Sequence, residues 1–262
     1  MPPLRPAAFV IVSSDHGSMI VNRNDFAARD GGFIGVGSQI LNTQSFDKRE
    51  VDLALNLLSK RRDIYGPGIV ALDCGANIGV HTVEWAKHMY GWGEVLAFEA
   101  QERIYYALAG NVAINNCSNA RARWSAVGRE CGVINIPQVD YNRPASYGSL
   151  ELRPSKTNED IGQAVSYDGT ATYEAPLLSL DSLDLPRVDF VKIDVEGMEI
   201  EVLQGAMEML QRCKPMMLIE HIKTKRTDLE TTLTSAGYKW FVLRMNLLAV
   251  HEDDKIEISI EK

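Results

Sequence analysis

Residues 72–79 read LDCGANIG, and they join a run fit for a buried strand, GIVALDC, to a run fit for a helix, VHTVEWAKHMYG. Glycine has no Cβ, so Gly75 and Gly79 let the backbone turn tightly and approach a ligand closely. Unpaired N–H groups at the start of the following helix add donors for an anionic group. The spacing is G-x-x-x-G, however, and the dinucleotide fingerprint G-x-G-x-x-G requires a glycine where Ala76 stands. Asp73, just before the turn, offers a carboxylate to a ligand's donors or to its positive charge.

The turn therefore suits a ligand with an amino group, a carboxylate and no phosphate, which describes S-adenosylmethionine. The second strand, EVLAFEA at 94–100, ends in Glu99. An acid at the end of strand two is placed to hold ribose hydroxyls, as in nucleotide-binding α/β folds. The strand–helix alternation then continues. A helix is expected over 102–116, strands over 120–128, 189–197 and 215–222, a helix over 225–237, and two strands within 238–260. Strands separated by helices imply a mostly parallel sheet, reached by right-handed crossovers and covered by helices on both faces.

Before this core, AFVIVSSDHGSMIVNR (8–23) reads as two short strands around a DHG turn, and DGGFIGVG (30–37) as glycine-rich loop. FDKREVDLALNLLSKRR (46–62) has Val51, Leu55 and Leu58 at helical spacing. The whole chain, 1–262, reads as one domain. Residues 1–68 form an N-terminal extension, and residues 69–262 form a core interrupted by an insertion at 128–176. That insertion is polar and holds Tyr141, Tyr147, Tyr167 and Tyr173, whose rings and hydroxyls suit a sugar or polyketide or simply fill space. GVINIP and YGSLEL within it are candidate extra strands.

DCGANIGVHT, AFEA, SLDSLDLPRVDFVKIDVEGMEIEVLQGA and PMMLIEH together resemble the FkbM family of S-adenosylmethionine-dependent methyltransferases over about residues 69–221. The resemblance implies a class I, Rossmann-like methyltransferase sheet of about seven strands, the last antiparallel. It also implies O-methylation of hydroxyls on sugars, polyketides and related metabolites. By position, Asp73, Gly75, Ala76, Asn77 and Gly79 would hold the methionine end of the cofactor. Glu99, with Ala100 beside it, would take the ribose, and Ser125 and Ala126 would border the adenine. One departure follows the AFEA run, where this chain has Gln101 and relatives usually place a proline after the acid.

Ligands of open α/β sheets bind beyond the carboxyl ends of the strands. Asp194 and Glu196 end strand four there, and Glu220 and His221 end strand five. Lys192, Asp194 and Glu196 alternate along an otherwise apolar strand, so an extended chain puts all three on one side. Methyl transfer to a hydroxyl needs an aligned acceptor oxygen and a group to take its proton. Asp194, Glu196 and His221 are the candidates. His221 is favoured because imidazole titrates near neutral pH, while Asp194 is placed to touch both cofactor and acceptor. Lys192 would keep the carboxylates ionised. The structural alternatives are a Lys192–Glu196 ion pair and a Glu196 that only serves the positive end of the next helix. Mg²⁺ held by Asp194 and Glu220, with His221 nearby, is allowed by the residue types, but no ligand spacing demands it. His16, His81 and His88 read as surface or capping residues.

A net charge of −8 argues against a nucleic-acid partner, since such binders carry a basic stripe. Four scattered cysteines form neither a disulfide framework nor a zinc motif, which points to a cytoplasmic protein. The short apolar run AAFVIV (7–12) is too short for a membrane helix. The leading expectation is a small-molecule or glycan O-methyltransferase of unspecified oligomeric state. An NAD-dependent oxidoreductase and a non-catalytic S-adenosylmethionine-binding protein are the alternatives.

Overall fold

The computed structural model describes residues 6–29 and 31–256, so residues 257–260 of the expected final strand run lie outside it. The chain opens with an antiparallel hairpin, β1 (Phe9–Ser14) and β2 (Gly17–Asn22), around the DHG turn. The glycine-rich run expected as loop instead carries structure. A short pair, β3 (Ala27–Arg29) and β4 (Gly32–Ile34), leads into helix α1 (Val36–Thr43). Gly35, at φ 137°, makes this fold-back possible, because a Cβ there would stand 2.3 Å from the carbonyl oxygen of Asp25. Helix α2 (Lys48–Tyr65) follows, as its apolar spacing predicts, with Val51, Ala54 and Leu58 buried along one stripe.

The core then runs β5 (Ile69–Cys74), α3 (Val80–His88), β6 (Gly93–Glu99), α4 (Glu102–Ile114) and β7 (Ala120–Trp124). The expected third strand breaks after Trp124. Its continuation, β8 (Ala126–Val127), leaves the main sheet and pairs with β10 (Thr172–Leu178), which also pairs antiparallel with β9 (Gly132–Pro137). GVINIP is thus a strand as expected, whereas YGSLEL holds a single 3₁₀ turn at Tyr147–Ser149. The chain closes with β11 (Phe190–Ile193), α5 (Glu199–Gln204), α6 (Met207–Cys213), β12 (Met216–Glu220), α7 (Arg226–Ser235), β13 (Tyr238–Leu243) and β14 (Asn246–His251).

The main sheet has seven strands in the order β13-β14-β12-β11-β5-β6-β7. Neighbours from β12 to β7 are parallel, and β14 is antiparallel to both β12 and β13. This is the class I methyltransferase arrangement, with β14, the last strand among the described residues, inserted second from the edge. The central strands are apolar on both sides, as a doubly covered parallel sheet requires. Leu72, Val191, Ile193 and Met217 face a layer built from α5, α6 and α7. Ile69, Ala71, Phe190 and Leu218 face α2 and α3, with Trp85 at the centre of that layer. Among the described residues, no helix is long and apolar enough to cross a membrane.

Helix α2 is anchored to the sheet by a buried ion network as well as by apolar contact. Arg61, 3% exposed, pairs with Asp254 beyond β14 and lies 3.7 Å from Asp189 at the start of β11. Asp189 also accepts the N–H of Val70 (3.0 Å) and the Nε–H of Arg187 (2.8 Å). Removing one partner of a buried pair leaves an uncompensated charge. Arg61→Ala is therefore expected to lower stability by about 3–5 kcal/mol, read as a reduced midpoint in urea or guanidinium unfolding.

Candidate active site

Register brings the site's charges together. In the parallel pair β11–β5, Lys192 stands opposite Asp73, on the side covered by α2 and α3. Val191 and Ile193 point the other way into apolar packing. Lys192 is 5% exposed, and its Nζ donates to Asp194 Oδ2 at 2.7 Å. Glu196 does not continue the strand, because its φ of 55° turns the chain away. It pairs instead with Lys223, which also meets Glu159 (3.0 Å) and the carbonyl of Ser149 (2.8 Å) in the insertion. The Lys192–Glu196 pair weighed as a structural alternative does not form, and Lys192–Asp194 and Lys223–Glu196 pairs stand in its place.

The turn after β5 accounts for its own N–H groups. Gly75 and Ala76 donate to Phe98 O, Asn77 to Glu99 Oε2, Ile78 to Asn77 Oδ1 and Gly79 to Ala76 O. The N–H groups of the turn itself are therefore engaged, while those of Val80, His81 and Thr82 at the start of α3 find no acceptor among the described residues. Both glycines serve the protein's own packing. A Cβ on Gly75 (φ 83°) would stand 1.7 Å from Asp194 O, and one on Gly79 (φ 87°) 2.5 Å from Leu108 Cδ1. Asp73 Oδ2 accepts from Thr82 Oγ1 at 2.6 Å, while Oδ1 is buried and has no partner. Glu99 accepts from Asn77 N (2.9 Å) and Gln101 N (2.8 Å). Burial pushes its pKa up to about 7, aided by the charges of Asp73 and Asp194 and opposed by those two backbone bonds.

These groups line one cavity of about 600 Å³ at the carboxyl end of the sheet. Asp73, Gly75, Ala76, Asn77, Glu99, Ala100, Ser125, Ala126, Lys192, Asp194 and Glu196 all border it. Gly79 does not border it, and neither does His221. His221 is drawn to the β13–β14 turn, where its N–H donates to Met245 O (3.0 Å) and its Nε2 lies 3.1 Å from Arg244 O. The residue favoured as base thus sits outside the cavity. Asp194, Glu196 and Glu220 do converge, with oxygens within 4.8 Å of one another, and His221 is not part of that group. Burial and mutual repulsion push the pKa values of Glu196 and Glu220 upward.

Sequence reasoning missed much of the wall. Phe33, Gln39, Asn42, Phe46, Asp47 and Glu50 come from the N-terminal segment, and Ser146, Ser149, Leu150 and Leu152 from the insertion. His81, read as a surface or capping residue, is 6% exposed and borders the cavity. Its Nε2 lies 3.2 Å from Glu50 Oε1, and its Nδ1 is buried without a partner. Burial alone would raise the pKa of Glu50, but the His81 bond, the Lys192 charge and the Asn246 bond (2.7 Å) hold it down at about 2. The only signal for this pair was helical spacing in α2, which announces a buried face but not its partner.

A family model described as "Methyltransferase FkbM domain" matches residues 73–240. The chain belongs to the FkbM methyltransferase family. Relatives agree with that placement. Methyltransferase sdnD of Sordaria araneosa is 28% identical over 214 residues, covering 73% of this chain and 74% of its own. The hexuronic acid methyltransferase AglP of Haloferax volcanii is 26% identical over 181 residues, covering 68% of this chain and 66% of its own. A solved FkbM methyltransferase from Methylobacillus flagellatus superposes with a TM-score of 0.49 at 16% identity, over 70% of this chain and 44% of that one. Family membership decides for methyl transfer over the nicotinamide-dependent alternative.

The departure at Gln101 now has a physical role in this FkbM protein. Its Nε2 donates to Tyr147 O (2.9 Å), and its Oε1 accepts from Tyr141 Oη (3.0 Å), so it ties the insertion to the strand that carries Glu99. The tyrosines act in packing, and Tyr147 is fully buried. Gln101→Ala would strand both partners, at a cost of about 1–3 kcal/mol for each buried group left unpaired. Faster amide exchange across residues 138–165 is the expected result, with the β5–β6 core unchanged.

Proposed function

We propose that the protein transfers the methyl group of S-adenosylmethionine to a hydroxyl of a small-molecule or glycan acceptor such as a sugar or polyketide-type alcohol. The carrying observation is Asp73 Oδ1, a buried carboxylate oxygen without a partner among the described residues, on a side chain that lines the cavity. That carboxylate oxygen suits an amino group. The residues present fit the cofactor. Asp73, Gly75, Ala76 and Asn77 border the methionine end, and Glu99 retains lone pairs for ribose hydroxyls, since an ionised carboxylate accepts at about four sites. Ala100, Ser125 and Ala126 border the adenine end. When bound, the cofactor supplies an electrophilic methyl carbon. The chain's own part is to align the acceptor oxygen with it, exclude water and receive the acceptor's proton.

AglP's name, a hexuronic acid methyltransferase, supports a sugar-type acceptor. A cytoplasmic place of action is part of the same reading, supported by cysteines that are all free. Mg²⁺ enters no step here, because two of the converging carboxylates, Asp194 and Glu196, are already paired with lysines. Titration calorimetry with S-adenosylmethionine should give measurable heat, and no heat would sink the reading. Labelled S-adenosylmethionine should pass its methyl to a member of a panel of sugars, glycolipids and polyketide alcohols. Binding without transfer to any of them would favour the non-catalytic alternative. Asp73→Asn removes a charge-assisted contact worth about 1.5–3 kcal/mol, so cofactor affinity should fall tenfold or more.

Glu99 makes binding pH-dependent. Ribose hydroxyls donate to its ionised form, so binding displaces the proton held up to about pH 7. Affinity for S-adenosylhomocysteine should rise between about pH 6 and pH 8, by roughly tenfold at most per titrating proton and pH unit. Glu99→Gln should bind weakly at every pH. In the ligand-free protein the sign is opposite. The folded state holds this proton more tightly than the unfolded chain, so the contribution of Glu99 to stability is complete below the ordinary glutamate range and is lost as pH rises through about 7.

A further inference from the structure

We propose that His81, held by Glu50 from the N-terminal extension, is the catalytic base that takes the acceptor's proton. The inference rests on the methyl-transfer reading and supplies the step for which the sequence favoured His221. His221 lies outside the cavity and is engaged by the backbone of the β13–β14 turn. Of the carboxylates at the strand ends, Asp194 is committed to Lys192 and Glu196 to Lys223. Glu220, crowded by Asp194 and Glu196 and buried, favours its protonated form, which cannot accept.

His81 differs in geometry. It is the second residue of α3, immediately beyond the cofactor turn, and it borders the same cavity as Asp73 and Asp194. Its Nε2 faces Glu50 Oε1 at 3.2 Å, and Asn246 Nδ2 holds the other oxygen of Glu50 at 2.7 Å. A carboxylate against one ring nitrogen places the imidazole hydrogen there and leaves the second nitrogen as an acceptor. That second nitrogen, Nδ1, is buried and has no partner among the described residues, so the ring must turn it toward the cavity as the acceptor binds. The Trp85 ring, its centroid 5.6 Å away, packs beside the imidazole. The other charged groups facing the pair are Asp47 at the start of α2 and Lys192 from β11. A base oriented by a carboxylate is the recurring arrangement for activating a hydroxyl.

The step balances. The acceptor oxygen forms a C–O bond to the transferred methyl, and the C–S bond breaks with its electron pair left on sulfur. The O–H proton passes to His81 Nδ1, where the Glu50 carboxylate offsets the new positive charge until solvent takes the proton. Glu50 is then a positioning residue, supplied by a segment outside the core fold.

The test uses the full-length protein with isotope-labelled histidine, saturated with S-adenosylhomocysteine. Long-range proton–nitrogen correlation at about pH 8, where an ordinary imidazole is neutral, should show His81 with its hydrogen on Nε2 and a bare Nδ1. A hydrogen on Nδ1 would overturn the proposal. With the panel alcohol that the wild type methylates, His81→Ala should lower kcat by about 100-fold or more. Its S-adenosylhomocysteine affinity should stay within about threefold of wild type, and added imidazole or alkaline pH should restore turnover. His81→Gln, which keeps the side chain's bulk, should behave alike. Glu50→Gln should lose less and shift the pH–rate profile. Wild-type turnover by His81→Ala overturns the assignment, as does a loss that accompanies lost cofactor binding and resists imidazole. A wild-type protein that labels no alcohol removes the methyl-transfer reading, and this one with it.

Discussion

Lys192 places a positive charge on the middle strand of a sheet covered on both faces, and the acids of the site are arranged around it. Burial by itself would drive its ammonium toward neutrality. The charges of Asp194, Glu50 and Asp73 outweigh that and hold its pKa above the ordinary range. These three acids come from three elements. Asp194 follows β11, Asp73 on β5 is the register partner of Lys192, and Glu50 arrives on α2. Parallel pairing aligns the first two. The third requires the N-terminal extension to be in place, so α2 supplies part of the site's electrostatics as well as cover for the sheet.

The extension and the insertion are fastened to the core and to each other by single buried polar residues. Asn111 on α4 accepts the N–H of Ile20 in the N-terminal hairpin (2.6 Å) and donates to Ile78 O (2.7 Å). Asp25 accepts from Gly37 N (2.9 Å) and Tyr147 N (3.1 Å), joining the extension to the insertion. Its burial raises its pKa to about 6 against those backbone bonds. Lys223 ties the insertion to Glu196 at the lip of the cavity. Each bond closes a long loop between segments distant in sequence, and buried polar groups of this kind are costly unless fully satisfied. The cavity walls are therefore held by geometry-specific contacts, while the floor is held by the sheet.

That division explains what could be read from the sequence. The sheet was legible because each central strand is an apolar run between turn signals, and β5, β6, β11 and β12 fall where those runs lie. The floor of the site was legible for the same reason: Asp73, Glu99 and Asp194 stand at strand ends, and strand ends converge in an open α/β sheet. The walls were not. Glycines in 30–37 looked like loop because nothing local shows that Gly35 folds against Asp25. Glu196 looked like a strand residue because alternation does not reveal its left-handed turn. The positions of His81 and His221 relative to the cavity were hidden for a related reason. A histidine at a strand end is a natural candidate, but the hairpin that follows captures it. A histidine on a helix looks peripheral until α2 covers it.

The charge balance of the cavity fits these placements. Asp47, Glu50, Asp73, Glu99, Asp194, Glu196 and Glu220 border it against one lysine. Burial, reinforced by this excess, raises the pKa of Glu99 and Glu220 and so stores unfavourable charge in the ligand-free protein. A cationic ligand relieves part of that repulsion, and a sulfonium that becomes a neutral thioether on methyl transfer gives the relief back. On the proposed function, the acids therefore favour the charged donor over its spent product, which helps the product leave. The same balance sets a condition on the base. Proton uptake relieves this excess whichever group receives it, but the buried carboxylates Glu196 and Glu220 already tend to be protonated. In the proposed assignment, the His81 imidazole beside Glu50 is the group left to take it.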